Sequence, residues 1–245
     1  MRIPSNFLVL ALAVGLLGGV GGWFLGRTGA PPTPAITVAP DRPTALANGP
    51  GWVAEGLSQP DPLTVRSPVD LFAGYPAVNP DGSVNVVVEI PAGTNAKWEV
   101  EKDGVMRLEV RDGSPRVVKF LPYPGNYGMI PSTRLPKEAG GDGDALDVLI
   151  LGPALPRGTV ARARVIGVMK FLDRGEQDDK VLAVMDDTPF GRVRSLGELN
   201  ETFPAAAEVV KLWFSNYKEP GKMEFRGWGE ADEALGLVNL AATGR

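Results

Sequence analysis

The chain is 245 residues long and 44% hydrophobic, enough for one domain with a sizeable core plus additional segments. It contains no Cys and no His, which excludes disulfides, thiol nucleophiles, Ser-His-Asp triads and ordinary zinc sites, since each needs one or the other. A formal net charge of −4 gives no support to a general nucleic-acid binder. Chemistry is left to carboxylates, Lys, Arg, Tyr and metals that prefer oxygen ligands.

At the amino terminus, residues 7–26 carry no charge and are flanked by Arg2 and Arg27. About twenty residues at 1.5 Å rise per residue cross a bilayer core. A secretory signal has a shorter apolar core of roughly 7–15 residues. Thr28-Gly29-Ala30 can be read as a cleavage site, but Pro31 follows it. The expectation is an uncleaved membrane anchor over residues 1–29, with a cleaved signal as the alternative. The two arginines nearly balance, so charge hardly decides orientation. The short tail before the run places the bulk of the chain outside the cytoplasm, membrane-anchored or periplasmic, with the cytoplasmic face as the alternative. Residues 30–62 are rich in Pro and Gly and lack a helical or strand period, the composition of an extended linker.

The folded domain is expected over residues 63–245. Residues 84–90 read Val-Asn-Val-Val-Val-Glu-Ile and end at Pro91, a β-rich run. Residues 97–102 and 105–110 alternate and are joined by Asp103-Gly104, a strong hairpin signal. A second Asp-Gly at 112–113 turns the chain into a strand at 116–120. Residues 148–151, 160–168 and 181–184 give three more strands. Helices come late. Ser195-Leu-Gly-Glu198 is a capping-box pattern. Residues 205–218 carry Val210, Trp213, Phe214 and Tyr217 at i, i+3, i+4 and i+7, and Pro220-Gly221 stops that helix. Residues 230–242 form a last helix. Many short strands followed by helices indicate an α+β fold, mainly β, built as a small barrel with helices outside it.

The most informative segment is Gly141-Asp-Gly-Asp-Ala-Leu-Asp-Val-Leu-Ile-Leu151. Asp142, Asp144 and Asp147 stand at the mouth of an apolar strand. Crowded carboxylates repel one another unless a cation neutralises them, and three hard oxygen donors on a rigid strand suit Mg²⁺. An EF-hand loop is excluded by spacing: its fifth position would be Leu146 and its twelfth Pro153. Glu89 lies in a strand that is apolar on both sides, and a buried unpaired carboxylate costs several kcal/mol, so it needs a cation or a bound water. Lys97 and Glu99 share one strand face. Asp173, Asp178 and Lys180 surround a polar loop between two strands.

These elements occur in one order: Val87-Val-Glu-Ile-Pro91, Lys97-Trp-Glu99, Tyr123-Pro-Gly-Asn-Tyr-Gly128, Asp142-Gly-Asp-Ala-Leu-Asp147, Gly167-Val-Met-Lys170 with Asp173, Asp178 and Lys180, and Asn216-Tyr-Lys218. Over residues 65–245 this resembles the soluble family I inorganic pyrophosphatases. The most specific element is the Asp-x-Asp-x-x-Asp run before an apolar strand. The resemblance implies an OB-like five-stranded barrel with flanking helices, several Mg²⁺ ions per site, pyrophosphate as substrate and a homo-oligomer, with a hexamer favoured. It implies that Asp142, Asp147 and Asp173 hold the tightest Mg²⁺, with Asp142 bridging to a second ion. Asp144 is implied as the general base. Glu89, Asp173 and Asp178 are implied to serve the ions that arrive with substrate. Lys97, Arg116, Tyr127, Lys180, Tyr217 and Lys218 are implied to bind the two phosphate groups, and Glu99 to support them from behind. Ala145 replaces the Pro usual in the aspartate run, and the spacing around Arg116 leaves Arg111 as an alternative cation.

The residue types suit that chemistry. Metals about 3.5–4 Å apart can activate water and neutralise the attacking and leaving oxygens, while Lys, Arg and Tyr supply charge-assisted hydrogen bonds to phosphate. Two other readings are open at this level: a catalytically weak binding module of the same fold tethered at a membrane, and an OB-type nucleic-acid-binding barrel, which would want a basic, aromatic-lined face.

Overall fold

The computed structural model describes residues 52–141 and 143–243. The expected anchor at residues 7–26, most of the expected linker and Asp142 lie outside the described residues. Among the described residues no helix is long and apolar enough to cross a membrane.

In chain order the strands and helices are β1 (Ser58–Asp61), β2 (Thr64–Arg66), β3 (Val84–Ile90), β4 (Trp98–Val100), β5 (Met106–Leu108), β6 (Val110–Arg111), β7 (Ser114–Pro115), β8 (Asn126–Met129), β9 (Asp147–Leu151), β10 (Val160–Asp173), β11 (Glu176–Gln177), β12 (Lys180–Val184), α1 (Leu196–Thr202), α2 (Ala206–Asn216), β13 (Met223–Glu230) and α3 (Ala231–Thr243). Strand β10 organises the fold. Its first residues, 160–163, pair antiparallel with residues 84–87 of β3. Further along it pairs with β12 and with β13. The order β10-β12-β9-β8-β3 therefore returns to β10 and closes a ring of five strands, which removes the exposed edges that an open sheet would leave. This is the α+β barrel expected from the sequence. A second sheet, β1-β2-β5-β4, stands beside it.

Side chains alternate along each barrel strand, and the alternation sorts most of them into two cores, while Val87 and Met129 join a third with Trp98 and Met106. Leu149, Leu151, Leu182 and Val184 pack with Val210, Trp213 and Phe214 of α2. Val148, Ile150, Val181 and Ala183 pack with Ala234, Val238 and Ala241 of α3. Each of these larger side chains contributes about 1.5–3 kcal/mol on full burial. The α2 stripe predicted from its spacing is the buried face. Its fourth member, Tyr217, caps the helix rather than joining it. Helix α1 starts as the sequence indicates: Ser195 Oγ accepts from the Glu198 N–H at 3.1 Å. The return arm differs, because the Glu198 carboxylate accepts from the Arg194 N–H at 2.6 Å instead of from Ser195.

Other elements depart from expectation. The strand predicted at 116–120 does not form. The short β6–β7 ladder ends at Pro115, which has no N–H, and beyond it a bridge from Ala96 to Val117 and backbone hydrogen bonds of Arg116 and Val118 stand in place of a strand. Phe120 instead lies edge-on to Trp213, with ring centroids 6.1 Å apart, and Trp213 Nε1 donates to the Leu121 carbonyl at 2.9 Å. Within the segment read as linker, Ser58–Asp61 forms β1 against β2 and Val53 bridges to Arg157. A chain begun at residue 63 would lack both. Strand β8 had no sequence signal beyond Asn-Tyr-Gly. It is held on both edges, by β3 and β9, and Gly128 is required there because a Cβ would sit 1.9 Å from the Val87 carbonyl oxygen.

Candidate active site

Strands β9 and β12 run parallel, and their register puts Asp147 beside Lys180. Lys180 is 1% exposed. Its Nζ donates to Asp147 Oδ2 and to Asp178 Oδ1, each at 2.6 Å. Asp178 stands on the turn that leads into β12. Lys218, two residues past the end of α2, donates to Asp173 Oδ2 at 2.7 Å and lies 3.6 Å from Asp178 Oδ2. The floor of the site is thus one alternating series: Asp147, Lys180, Asp178, Lys218, Asp173. Burial alone would push both ammoniums toward neutrality. Asp147 and Asp178 outweigh it at Lys180, and Tyr217, Asp173 and Asp178 outweigh it at Lys218, so both stay above the ordinary lysine value. For Asp178, burial works upward, but Lys180 and Lys218 prevail and the carboxyl lies below its ordinary value.

One wall is built by β3 and β4. Glu89 is buried, and its Oε1 accepts from the Val100 N–H at 2.7 Å. Burial pushes its carboxyl up to about 8, against the opposing pull of Lys97 and that hydrogen bond. Lys97 Nζ lies 3.0 Å from Glu99 Oε1 and 5.1 Å from the centre of the Tyr127 ring. Burial disfavours its charge, yet Tyr123, Glu99 and Glu89 more than compensate and raise it. Burial keeps the Tyr127 phenol protonated far above its ordinary range, which leaves its O–H as a donor. Arg116 pairs with Glu109. Tyr217 stacks on Trp213 with centroids 4.8 Å apart and planes at 14°.

These groups surround a cleft of about 570 Å³. Of the residues expected at the site from sequence, Glu89, Lys97, Glu99, Arg116, Tyr127, Asp144, Asp147, Asp178, Lys180, Tyr217 and Lys218 line it. Asp173 reaches the cleft through its bond to Lys218, and Asp142 lies outside the described residues. Arg116 lines the cleft, whereas Arg111, the alternative, is turned to solvent beside Glu109. Among the described residues no three carboxylates converge closely enough to hold an ion on their own: Asp147, Asp173 and Asp178 each hold a lysine. Asp144 stands at the rim, its side chain 70% exposed, with Lys102 Nζ 3.4 Å from its Oδ1. Lys102 had no role in the sequence reading, although the Asp103-Gly104 turn already put it on a hairpin tip. Tyr123 was noticed only as part of a motif. It is buried 5.0 Å from the Tyr127 ring and 4.3 Å from that of Trp213.

With the barrel and the cleft in place, comparison with known proteins gives a single answer. The inorganic pyrophosphatase family model matches residues 86–243. The chain is 36% identical over 172 residues to the inorganic pyrophosphatase of Sulfolobus acidocaldarius, covering 68% of this chain and 93% of that one. It is 36% identical over 177 residues to that of Gluconobacter oxydans, again covering 68% and 93%. Among solved structures, the type I inorganic pyrophosphatase of Toxoplasma gondii is similar with a TM-score of 0.67 and 26% identity, covering 76% of this chain and 95% of that one. The Thermus thermophilus enzyme gives 0.61 and 28%, covering 71% and 97%. A phosphoanhydride hydrolase of the barrel type is the class so defined. The chain belongs to the family I inorganic pyrophosphatases, which are metal-dependent.

The donor set suits a hard divalent cation. Among the described residues Asp173 Oδ1 is buried without a hydrogen-bond partner, and Asp178 Oδ2 has only the Lys218 ammonium at 3.6 Å; a buried oxygen left unsatisfied is costly. Both belong to the same floor series as Asp147, and carboxylate oxygens are the ligand type that Mg²⁺ prefers.

Proposed function

We propose that this cleft hydrolyses inorganic pyrophosphate to two phosphates with Mg²⁺ as the activating ion. The observation that carries the reading is the charge series on the floor, whose cations face the cleft while, among the described residues, Asp173 Oδ1 is buried without a hydrogen-bond partner. Asp142, Asp147 and Asp173 would hold the first ion, with Glu89 and Asp178 serving those that come with substrate. Bound divalent ions would supply charge neutralisation and a more acidic water. Lys97, Arg116, Lys180 and Lys218 grip the phosphate oxygens with charge-assisted bonds, and Tyr127 and Tyr217 add neutral donors. Asp144, exposed at the rim, takes the proton from the attacking water. The water oxygen bonds to one phosphorus, the bond from that phosphorus to the bridging oxygen breaks, and the departing phosphate keeps the electron pair. Lysines and the arginine stabilise that charge as it develops. Glu99 holds Lys97 in place.

The test is phosphate release from pyrophosphate by the full chain across a Mg²⁺ titration. Release that rises with Mg²⁺ and vanishes with chelator is expected, and no release at any Mg²⁺ concentration defeats the reading.

The uncharged run at residues 7–26 supports a tether holding the domain outside the cytoplasm, and protease accessibility in spheroplasts tests it. Exposed Val209 and Leu212 on α2 support a homo-oligomer, which sedimentation would reveal.

A further inference from the structure

Arg157 is among the largest fully buried side chains, at 1% exposure. Its Nε donates to the Glu89 carbonyl oxygen at 3.1 Å, while its Nη2 is buried without a partner. The guanidinium lies over the Trp98 ring, 4.3 Å from its centre. Burial is what displaces its titration, down to about 10, so the charge persists at neutral pH. Among the described residues no carboxylate pairs with it; a buried charge of that kind is poor for stability, and an apolar side chain of similar volume is often as good or better. The contacts of Arg157 point elsewhere. It grips the backbone of Glu89, and it stacks on the residue between Lys97 and Glu99. Those are three residues of one wall of the cleft.

The same residue also anchors the chain that precedes the family match. The Arg157 N–H donates to the Trp52 carbonyl at 3.0 Å, and the Ala54 N–H donates to the Arg157 carbonyl at 2.8 Å. Its neighbour Gly158 has φ +81°, and a Cβ there would meet Leu57 Cδ1 at 2.2 Å. Residues 52–57 are therefore keyed against the back of the wall, although the family match begins at residue 86.

We infer that Arg157 is a positioning residue for pyrophosphate binding: it fixes the wall carrying Glu89, Lys97 and Glu99, places an unneutralised positive charge behind it, and joins residues 52–57 to it. The inference rests on the pyrophosphatase reading. A polyanion entering the cleft gains from that charge, which is little screened because it is buried. Residues that orient ligand-bearing groups from behind commonly change affinity by 10-fold or more when removed.

The experiment compares the full chain with Arg157→Met, Arg157→Lys and Trp98→Leu. It reads kcat, KM for pyrophosphate, melting temperature, and equilibrium binding of pyrophosphate with Ca²⁺ replacing Mg²⁺ to suppress turnover. In Arg157→Met, KM and the binding constant should weaken roughly 10-fold with kcat nearly unchanged and the melting temperature equal or higher. Arg157→Lys keeps the charge but loses the planar fork, so its loss should be smaller. Trp98→Leu keeps the guanidinium but removes its stack and should also raise KM, so the last two variants decide the matter if Arg157→Met does not fold. Wild-type KM and binding in the folded variants overturn the inference, as does a fall in kcat that tracks a fall in melting temperature. A wild-type chain that releases no phosphate would instead defeat the functional reading itself.

Discussion

On the floor of the cleft every buried charge has an opposite neighbour: Lys180 sits between Asp147 and Asp178 at 2.6 Å each, and Lys218 holds Asp173. On the wall formed by β3 and β4, burial is as deep but the partners are incomplete. Glu89 accepts a backbone hydrogen bond and is pushed toward neutrality, and Arg157 keeps an unpaired Nη2. The floor is an ion-pair series that holds itself together. On the wall Lys97 has Glu99 beside it, but among the described residues the buried Arg157 charge has no carboxylate partner. The difference explains why the two regions should fail differently.

The largest effect is expected from Lys180→Met. It leaves Asp147 and Asp178 facing each other without the ammonium between them, and breaking a buried pair by removing one partner costs about 3–5 kcal/mol. Urea unfolding in chelator would measure that loss. Phosphate release should fall roughly 100-fold or more, the scale for losing one charge-stabilising donor. Wild-type stability in this variant would mean that the floor series does not form.

Much of this floor was legible in the sequence. Asp147 was pinned by the apolar run 148–151 that follows it, and Lys180 by the polar loop before an apolar strand. The first inference needs only local pattern; the second does not, because that loop alone reads as an ordinary charged hairpin tip and Lys180 gained its role only through the family resemblance. The wall was less legible. Glu89 stood out as a charge in an apolar strand, but Arg157 follows Pro156 and precedes Gly158, a context that reads as a surface turn. Its burial comes from Glu89, sixty-eight residues away, and from Trp52. No local period reports such contacts. Strand β8 was missed for the same reason: Asn126 and Gly128 have little preference for a strand, and β3 and β9 impose it. The strand expected at 116–120 erred the other way: pairing stops after Val118, and Phe120 turns to Trp213 of α2 instead.

A smaller effect is expected from the wall. The Glu89 carboxyl titrates near 8 in the folded chain against an ordinary value of 4.5. Between those limits the native state keeps a proton that the unfolded chain has released, so the native state binds more protons and stability falls as pH rises. In chelator, the wild-type chain should lose a few kcal/mol across this interval, mostly below pH 8. Glu89→Gln has no proton to surrender and should flatten the profile, gaining relative stability at the alkaline end. Parallel profiles for the two proteins would show that Glu89 is ionised in the fold, and the contrast between wall and floor would disappear.

The smallest effect comes from a pair that looks equivalent on distance alone. Arg162 lies 2.8 Å from Asp81, close to the 2.6 Å of Lys180 and its acids, yet both partners are well exposed. Water solvates each charge whether or not the pair forms, two flexible side chains must be ordered to make it, and salt screens what attraction is left. Arg162→Ala should therefore unfold at the same urea concentration as wild type, within error, at 0.15 M salt or above. It should also leave phosphate release unchanged, since Arg162 does not line the catalytic cleft. Near-equal lengths with unequal consequences would locate the energy of the floor in its burial. If Arg162→Ala proved as damaging as Lys180→Met, bond length rather than desolvation would be the quantity that matters, and the floor would have no special standing in the molecule.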